Sequence, residues 1–276
     1  MIKKGIINPT ILFAIVLVLV IVLIRLPEDE HGLVKGEATD LPEFCSQKFL
    51  GGITTHHDIA SELIDQLFQC LKKGTNPSTI VVIGPNHYYQ GFKGLLTADR
   101  NWVTEWGNLH SDKRLIGKLM QSGLLELNNQ SIAKDHAFTI TLPYIEQYFP
   151  NARVVPLLIK HDLSQREADF LIEQLNRSLD SNTFLLGSID FSHYLALEKA
   201  EKHDKVSKAI IENGNLEAVY DNKGDDYFDS APGIYIILSL IKKRGSYQPF
   251  LLNHANSVSF GTDSNSTTSY YSWLFN

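Results

Sequence analysis

Short apolar runs alternate along the chain with segments in which apolar residues recur every three or four positions. Residues 80–83 are four consecutive β-branched apolar residues ended by Gly84 and Pro85, a pattern typical of a buried strand. A second apolar run begins at residue 184, and the segment 59–73 has the apolar spacing of a helix. Strands that alternate with helices predict an α/β fold with a mainly parallel or mixed central sheet and helices on both faces.

The same patterns assign the remaining elements. We expect helices at residues 111–122, 135–149, 164–179, 197–212, 216–220 and 230–243, and further strands near 51–54 and at 94–98, 153–159, 249–254 and 269–275. Ser164 and Glu167 have the spacing of a capping box, which marks the start of one helix. Pro143 falls inside the helix predicted at 135–149, so a kink or a break is expected there.

The start of the chain differs in composition from the rest. Residues 11–24 contain no polar side chain, and the stretch from residue 6 to residue 26 is just long enough to span a hydrocarbon core of about 30 Å. Lys3 and Lys4 favour a cytoplasmic amino terminus, which would place the folded domain outside the cytoplasm. No small-x-small cleavage site follows, so we expect an uncleaved transmembrane helix, with a cleaved signal peptide as the alternative. The resulting division is an N-terminal membrane anchor at 1–26, a polar linker at 27–43 and an α/β domain at 44–276.

Charge and cysteine content narrow the class of protein. The net charge is −6, and residues 242–244 form the one cluster of Lys and Arg that stands out, at the end of a predicted helix. Both facts argue against a nucleic-acid partner. Cys45 and Cys70 have no CxxC partner, which excludes a structural zinc knuckle. We expect two buried or isolated thiols, with one disulfide as the alternative if the domain is extracytoplasmic.

Histidines and carboxylates collect where strands end or helices begin. They occur in four segments: His56-His57-Asp58, Asn86-His87, Asp135-His136 and Asp190-Phe191-Ser192-His193. Because open α/β sheets bind ligands at the carboxyl ends of their strands, we expect one shared polar site. Two histidines and one carboxylate hold metals such as Fe(II) and leave positions open for substrate or oxygen.

Roles for these residues follow from that chemistry. His56, His87 and Asp190 would supply the metal ligands. His136 and His193 would act as acid/base or supporting groups, with Asp135 orienting a ring. The other histidines are expected to be surface or structural residues: His31, His110, His161, His203 and His254. The chain has no Gly-x-Ser-x-Gly elbow, Walker loop or Gly-x-Gly-x-x-Gly fingerprint, which argues against a serine hydrolase, a nucleotidase or a dehydrogenase.

Taken together and in order, these segments resemble the motifs of the Memo family, also called AmmeMemoRadiSam system protein B. The family's Pro-His-Ala-Gly corresponds to residues 55–58, with His56 on the family histidine, and its Gly-Pro-Ser-His-His corresponds to residues 84–88. Its Glu-His-Ser followed by Leu-Pro corresponds to 135–137 with 142–143, and its Ser-Asp-Leu-Ser-His-Tyr to 189–194. The similarity covers about residues 51–275.

The resemblance implies a three-layer α/β/α domain similar in fold to the class III extradiol dioxygenases. It also implies a metal pocket built from His56 and His87, with Asp190 or His193 as a further ligand. Spacing alone does not distinguish His56 from His57 as the metal ligand, and the alignment with the family motif selects His56. The family carries a pocket cysteine at the start of its late helix. Here residues 230–233 are Ser-Ala-Pro-Gly, with Pro232 in the cysteine's position, so no cysteine-dependent mechanism is expected.

Three functions are consistent with these features. The first is a membrane-anchored oxidoreductase or dioxygenase-like enzyme that uses a divalent metal on a small molecule, with iron expected and copper or zinc as alternatives. The second is a binding module that keeps the fold and has lost the chemistry, which the Pro232 substitution favours. The third is a metal-dependent hydrolase.

Overall fold

A mixed β-sheet lies at the centre of the computed structural model, which describes residues 41–224 and 226–276. Its strands are β1 (Gly51–Thr54), β2 (Thr79–Pro85), β3 (Leu95–Thr97), β4 (Trp102–Val103), β5 (Asn108–Ser111), β6 (Leu125–Leu127), β7 (Arg153–Ile159), β8 (Thr183–Ser188), β9 (Phe191–Leu195), β10 (Pro249–Asn256) and β11 (Thr267–Phe275). Their order is β10-β11-β1-β8-β2-β7-β3-β6, with β4 beside β5, β5 also beside β7, and β9 beside β11. The four central strands β1, β8, β2 and β7 are parallel, and β11 joins β1 in the antiparallel sense.

Helices cover the sheet on both faces. They are α1 (Ser61–Gly74), α2 (Lys113–Met120), α3 (Asn129–Ile132), α4 (His136–Thr139), α5 (Thr141–Tyr148), α6 (Gln165–Ser178), α7 (Leu197–Asn213), α8 (Leu216–Asp221) and α9 (Ala231–Arg244). Ile80, Val81, Val82 and Ile83 of β2 are all fully buried. Because successive side chains of a strand point to opposite faces, their burial requires that both faces be covered. The expected α/β fold with a mixed central sheet is confirmed.

The hydrophobic core explains why the central strands are almost wholly apolar. Val81, Val155 and Leu185 on one face of the sheet belong to a single buried cluster with Ile172 of α6 and Ile237 of α9. Burial of such a side chain contributes roughly 1.5–3 kcal/mol, so this cluster fixes the spacing and direction of the parallel strands.

The predicted helix at 135–149 is two helices, and the break does not fall at Pro143. α4 and α5 meet at Ile140. Pro143 lies in the first turn of α5, where a missing backbone N–H leaves no hydrogen bond unmade. By contrast, α6 begins as expected, with the full capping box formed by Ser164 and Glu167.

Cys45 and Cys70 form a disulfide, so the expectation of two thiols is wrong. The bond joins the 3₁₀ turn Glu43–Ser46 to α1, and both cysteines are fully buried. It fastens the chain ahead of β1 to the domain. Sequence spacing could not show this contact because the turn and the helix are brought together by the fold.

The membrane anchor predicted at residues 1–26 lies outside the described residues, as does most of the linker. Within residues 41–224 and 226–276, each helix is too short or too polar to cross a membrane.

Removal of the disulfide should destabilise the domain. The bond closes a loop with a sequence separation of 25 residues, for which loop-closure entropy gives about 3 kcal/mol. We expect the Cys45→Ala/Cys70→Ala double variant to lose about 2–4 kcal/mol of unfolding free energy in urea titrations. Dithiothreitol should lower the stability of the wild type and leave that of the variant unchanged. Equal wild-type stability with and without the reductant would contradict the expectation.

Candidate metal centre

The polar segments converge at the carboxyl ends of the parallel strands. His56 follows β1, His87 follows β2, and Asp190 follows β8. Since β1, β8 and β2 are hydrogen-bonded neighbours, their ends lie at one edge of the sheet. The ring of His56 lies 4.9 Å from that of His87 and 5.1 Å from that of His136, measured between centroids. The expected shared polar site is therefore present.

The His56 side chain is fully buried, and its orientation is set by β8. Its Nδ1 donates a hydrogen bond to the Ser188 carbonyl oxygen at 3.1 Å. This contact directs Nε2 toward two carboxylates, 3.2 Å from Asp229 Oδ2 and 3.6 Å from Asp190 Oδ2. Burial lowers the pKa of His56, but the negative charges of Asp190 and Asp229 outweigh burial and raise the pKa to about 9.

Asp135 holds His87 in place. One carboxylate oxygen accepts a hydrogen bond from His87 Nδ1 at 2.7 Å, and the other accepts from the His87 backbone N–H at 3.0 Å. The first oxygen also caps α4 by accepting from the Ala137 N–H at 3.1 Å. Because Nδ1 is occupied, His87 offers Nε2 to the pocket. A carboxylate behind a histidine is the usual support of a metal-ligating imidazole.

Asp229 is the pocket carboxylate that the sequence analysis did not identify. Its backbone N–H donates to the Asp190 carbonyl oxygen at 3.1 Å, and the neighbouring Phe228 pairs with Phe191 of β9. Both carboxylate oxygens are buried without a hydrogen-bond partner among the described residues. Burial raises the pKa of Asp229, but the opposing charge of His56 outweighs burial and lowers it. The signal was an acid directly before a predicted helix, the kind of junction that marked the other segments.

The position of Asp229 also bears on the expectation that the pocket lacks a ligand because Pro232 stands in the position of the family cysteine. Pro232 is buried in the first turn of α9, and Ser230 caps that helix. The side chain that reaches the histidines from this segment is Asp229, three residues earlier in the sequence. The pocket therefore has a carboxylate where the resemblance led us to expect a lost ligand.

Asp190 lies beside the predicted ligand His56, with 3.6 Å between Asp190 Oδ2 and His56 Nε2, and also beside two further histidines. Its Oδ2 is 3.4 Å from His57 Nδ1 and 4.0 Å from His193 Nε2. The ligand atoms of His56 and His87 group instead with that of Asp229, all within 4.8 Å of one another. The first two predicted ligands thus lie together, and Asp190 groups with His57 and His193.

His136, a predicted acid/base residue, lies flat against His87. The two rings are 4.0 Å apart with an interplanar angle of 20°. Burial and the positive charges of the neighbouring imidazoles lower the pKa of His136 to about 4. Its imidazole is therefore neutral at pH 7 and able to accept a proton.

His56, His87 and Asp229 fit a divalent metal. His56 Nε2 and both Asp229 oxygens are buried and make no hydrogen bond among the described residues, and apart from the ion pairs of His56 with Asp229 and Asp190 these atoms are available to an ion. Two imidazoles and one carboxylate suit iron, zinc or copper. Asp135 supplies the supporting hydrogen bond to one of the imidazoles.

Two cavities of about 620 Å³ each meet at this group. One is lined by the imidazoles of His57, His87, His136 and His193. The other is lined largely by residues on the far side of Asp229, among them Leu163, Tyr220 and Phe228. Asp229 and His161 border both cavities, and His161 is exposed, as expected of a surface residue.

The fold and the site together define a mixed α/β protein with a histidine- and carboxylate-lined pocket at the carboxyl edge of its sheet. The family model described as Memo-like protein matches residues 53–274. The chain therefore belongs to the Memo family, as its motifs indicated.

Relatives and a solved structure agree with this assignment. A MEMO1 family protein from Pyrobaculum arsenaticum is 27% identical over 248 residues, which cover 87% of each chain. Another, from Methanopyrus kandleri, is 27% identical over 254 residues, covering 86% of this chain and 87% of the relative. A crystal structure of an uncharacterized protein from Escherichia coli K12 matches with a TM-score of 0.56 at 13% identity, covering 81% of this chain and 99% of that one. This last likeness shows the fold alone.

We expect a side chain in place of Gly84, at the end of β2, to destabilise the domain. A Cβ there would lie 2.9 Å from the Ala137 Cβ and 3.0 Å from the Ser188 carbonyl oxygen. We expect Gly84→Ala to cost about 1–3 kcal/mol of unfolding free energy because the strand end must move away from α4 and β8.

Gly117 is the matched control. A Cβ at this position in α2 would meet nothing within 4 Å. The Gly117→Ala variant should be equally stable or more stable by up to about 1 kcal/mol, because alanine favours the helix. Equal urea midpoints for the two variants would show that the close approach at Gly84 carries no cost.

Proposed function

We propose that this domain binds a divalent metal, iron first, through His56, His87 and Asp229 and acts as an oxidoreductase of the dioxygenase type on a small molecule. The observation that carries the proposal is the grouping of these three side chains, in which His56 Nε2 and both Asp229 oxygens are buried and make no hydrogen bond among the described residues. Membership of the Memo family supports the same pocket.

The metal, when bound, would supply a Lewis acid with open positions for substrate or oxygen. The protein's own groups have separate tasks. Asp135 holds His87 with its Nε2 toward the pocket. His136 lines the same cavity as His87 and lies against its ring, so it is placed to accept a proton from a bound substrate.

The two adjoining cavities support a small-molecule substrate. The cavity at the imidazoles presents ring nitrogens and the Asp229 carboxylate and would hold the reacting part of the molecule. The other cavity presents Leu163, Tyr220 and Phe228 and would take an apolar or aromatic body. Asp229 lies where the two meet, so the reacting end would be directed to the ligand group.

A non-catalytic binding module is less well supported than the sequence indicated. That alternative depended on the absence of a ligand at Pro232. Asp229 offers a carboxylate to the same pair of histidines, so the ligand set is complete without a cysteine.

Metal content tests the ligand assignment. We expect the full-length chain, purified in detergent and loaded anaerobically with Fe(II), to retain iron after gel filtration. Asp135→Asn should weaken binding by about 10- to 100-fold because it removes support from His87. His87→Ala should weaken binding further because it removes a ligand itself. His110→Ala, which changes an exposed histidine on β5, is the control and should bind as the wild type does.

Two outcomes would contradict the proposal. If the wild-type chain retains none of the metals Fe(II), Zn(II) and Cu(II), the proposed metal site does not exist. A loaded chain that consumes no oxygen with any member of a catechol panel, while hydrolysing ester or phosphate substrates, would replace the oxidoreductase by a metal-dependent hydrolase.

We further propose that the domain lies outside the cytoplasm, attached to the membrane through residues 1–26. The disulfide between Cys45 and Cys70 supports this location, because disulfides persist in oxidising compartments and are rare in the cytosol. The apolar stretch at residues 6–26 and the lysines before it support the direction of insertion.

A carboxyl-terminal alkaline phosphatase fusion tests the location. We expect the fusion to be active and membrane-bound, and thiol alkylation of whole cells without reductant should find neither cysteine free. A matched fusion to a fluorescent protein that matures only in the cytoplasm should stay dark. Reversal of the two reporters would refute the location, and a soluble mature chain would identify a cleaved signal peptide.

A further inference from the structure

A second group of two imidazoles and one carboxylate adjoins the first. It consists of His57, Asp190 and His193, whose ligand atoms lie within 4.8 Å of one another. The three side chains come from three places in the fold: the loop after β1, the link between β8 and β9, and β9 itself. The group has the same composition as His56, His87 and Asp229 and shares no residue with it.

Asp190 is the centre of this second group. Its side chain is fully buried, and Oδ1 accepts the His56 backbone N–H at 3.3 Å. Oδ2 has no hydrogen-bond partner among the described residues, although it lies close to imidazole nitrogens. A buried carboxylate oxygen that no hydrogen bond satisfies is costly, and a bound cation would be a partner for it beside the imidazoles.

The imidazoles on either side of Asp190 face the same space. His57 Nδ1 is 3.4 Å from Asp190 Oδ2, and His193 Nε2 is 4.0 Å from it. The rings of His57 and His193 are 5.9 Å apart, and both line the same cavity. Lys and Arg side chains within the described residues make no ion pair with Asp190, so imidazoles are its only basic neighbours there.

A structural role is the competing explanation. The Tyr270 hydroxyl lies 2.9 Å from His57 Nδ1, so Tyr270 and His57 could serve only to hold Asp190 in place. That explanation accounts for His57 but leaves Asp190 Oδ2 without a partner.

We infer that His57, Asp190 and His193 form a second divalent-cation site, so that the pocket takes two metal ions side by side. Asp190 Oδ2 is also 3.6 Å from His56 Nε2, so the two ligand groups adjoin, as the ligand groups of a two-metal site do. Two imidazoles and a carboxylate select zinc, iron or copper over magnesium and calcium. In this arrangement His193 is a ligand, and the proton-accepting role falls to His136.

The two-ion pocket rests on the proposed metal site at His56, His87 and Asp229, although the second group has ligands of its own. The number of ions per chain separates the two proposals. Zinc is the probe because it does not change oxidation state, and a chromophoric chelator in competition reports each bound equivalent.

The test titrates zinc into the full-length chain in detergent. We expect two equivalents for the wild type, one for His57→Ala, one for His87→Ala and none for the double variant. His110→Ala should still bind two. The His57 side chain is 32% exposed, so its truncation leaves no sealed cavity, and circular dichroism checks that each variant is folded. Crystals of the zinc-loaded wild type should show two anomalous peaks in the pocket.

Each other result has a definite meaning. If the wild type binds one equivalent of zinc and His87→Ala binds none, the second site is overturned and the proposed function stands. Two equivalents retained in His57→Ala would show that His57 and Tyr270 only position Asp190, which also overturns the second site. No bound zinc in the wild type, or anomalous peaks confined to the surface, would overturn both proposals.

Discussion

The parallel pairing of β1, β8, β2 and β7 is the constraint on which the site depends. Parallel strands end at the same edge, and here three of those ends continue directly into residues that carry imidazoles or carboxylates. The hydrogen bond from His56 to the Ser188 carbonyl oxygen is a product of the β1–β8 register, in which Thr54 pairs with Ser188. A one-residue slip of that register would turn His56 away from Asp229. The apolar core therefore determines the geometry of the polar pocket.

The parts of the structure set by local pattern were predictable from the sequence. The buried strand that ends at Pro85 and the strand Arg153–Ile159 were expected from their apolar runs. The start of α6 was expected because Ser164 and Glu167 form a capping box whose members are three residues apart. The convergence of His56 and His87 was expected for a related reason, since both follow parallel strands. The strands and the helix start need information from only one short stretch of chain, and the convergence needs only the general rule that parallel strands end at one edge of the sheet.

The parts that depend on distant stretches were not predictable. Asp229 reaches the pocket because Phe228 pairs with Phe191, a contact between segments 37 residues apart (228 minus 191). The disulfide depends on the packing of a 3₁₀ turn against α1. Strands β4 and β6 were missed because they contain two and three residues, too few for a periodic pattern.

The disulfide also determines which part of the domain would bear a mechanical load. Cys45 precedes β1, and its bond leads to Cys70 in the last turns of α1. Tension applied to the chain ahead of Cys45 would pass through this covalent link into the helix and would bypass β1. The strand that carries His56 is thereby shielded from being peeled away from β8 and β11. A pull on the chain ahead of Cys45 would therefore load α1 before it loads β1.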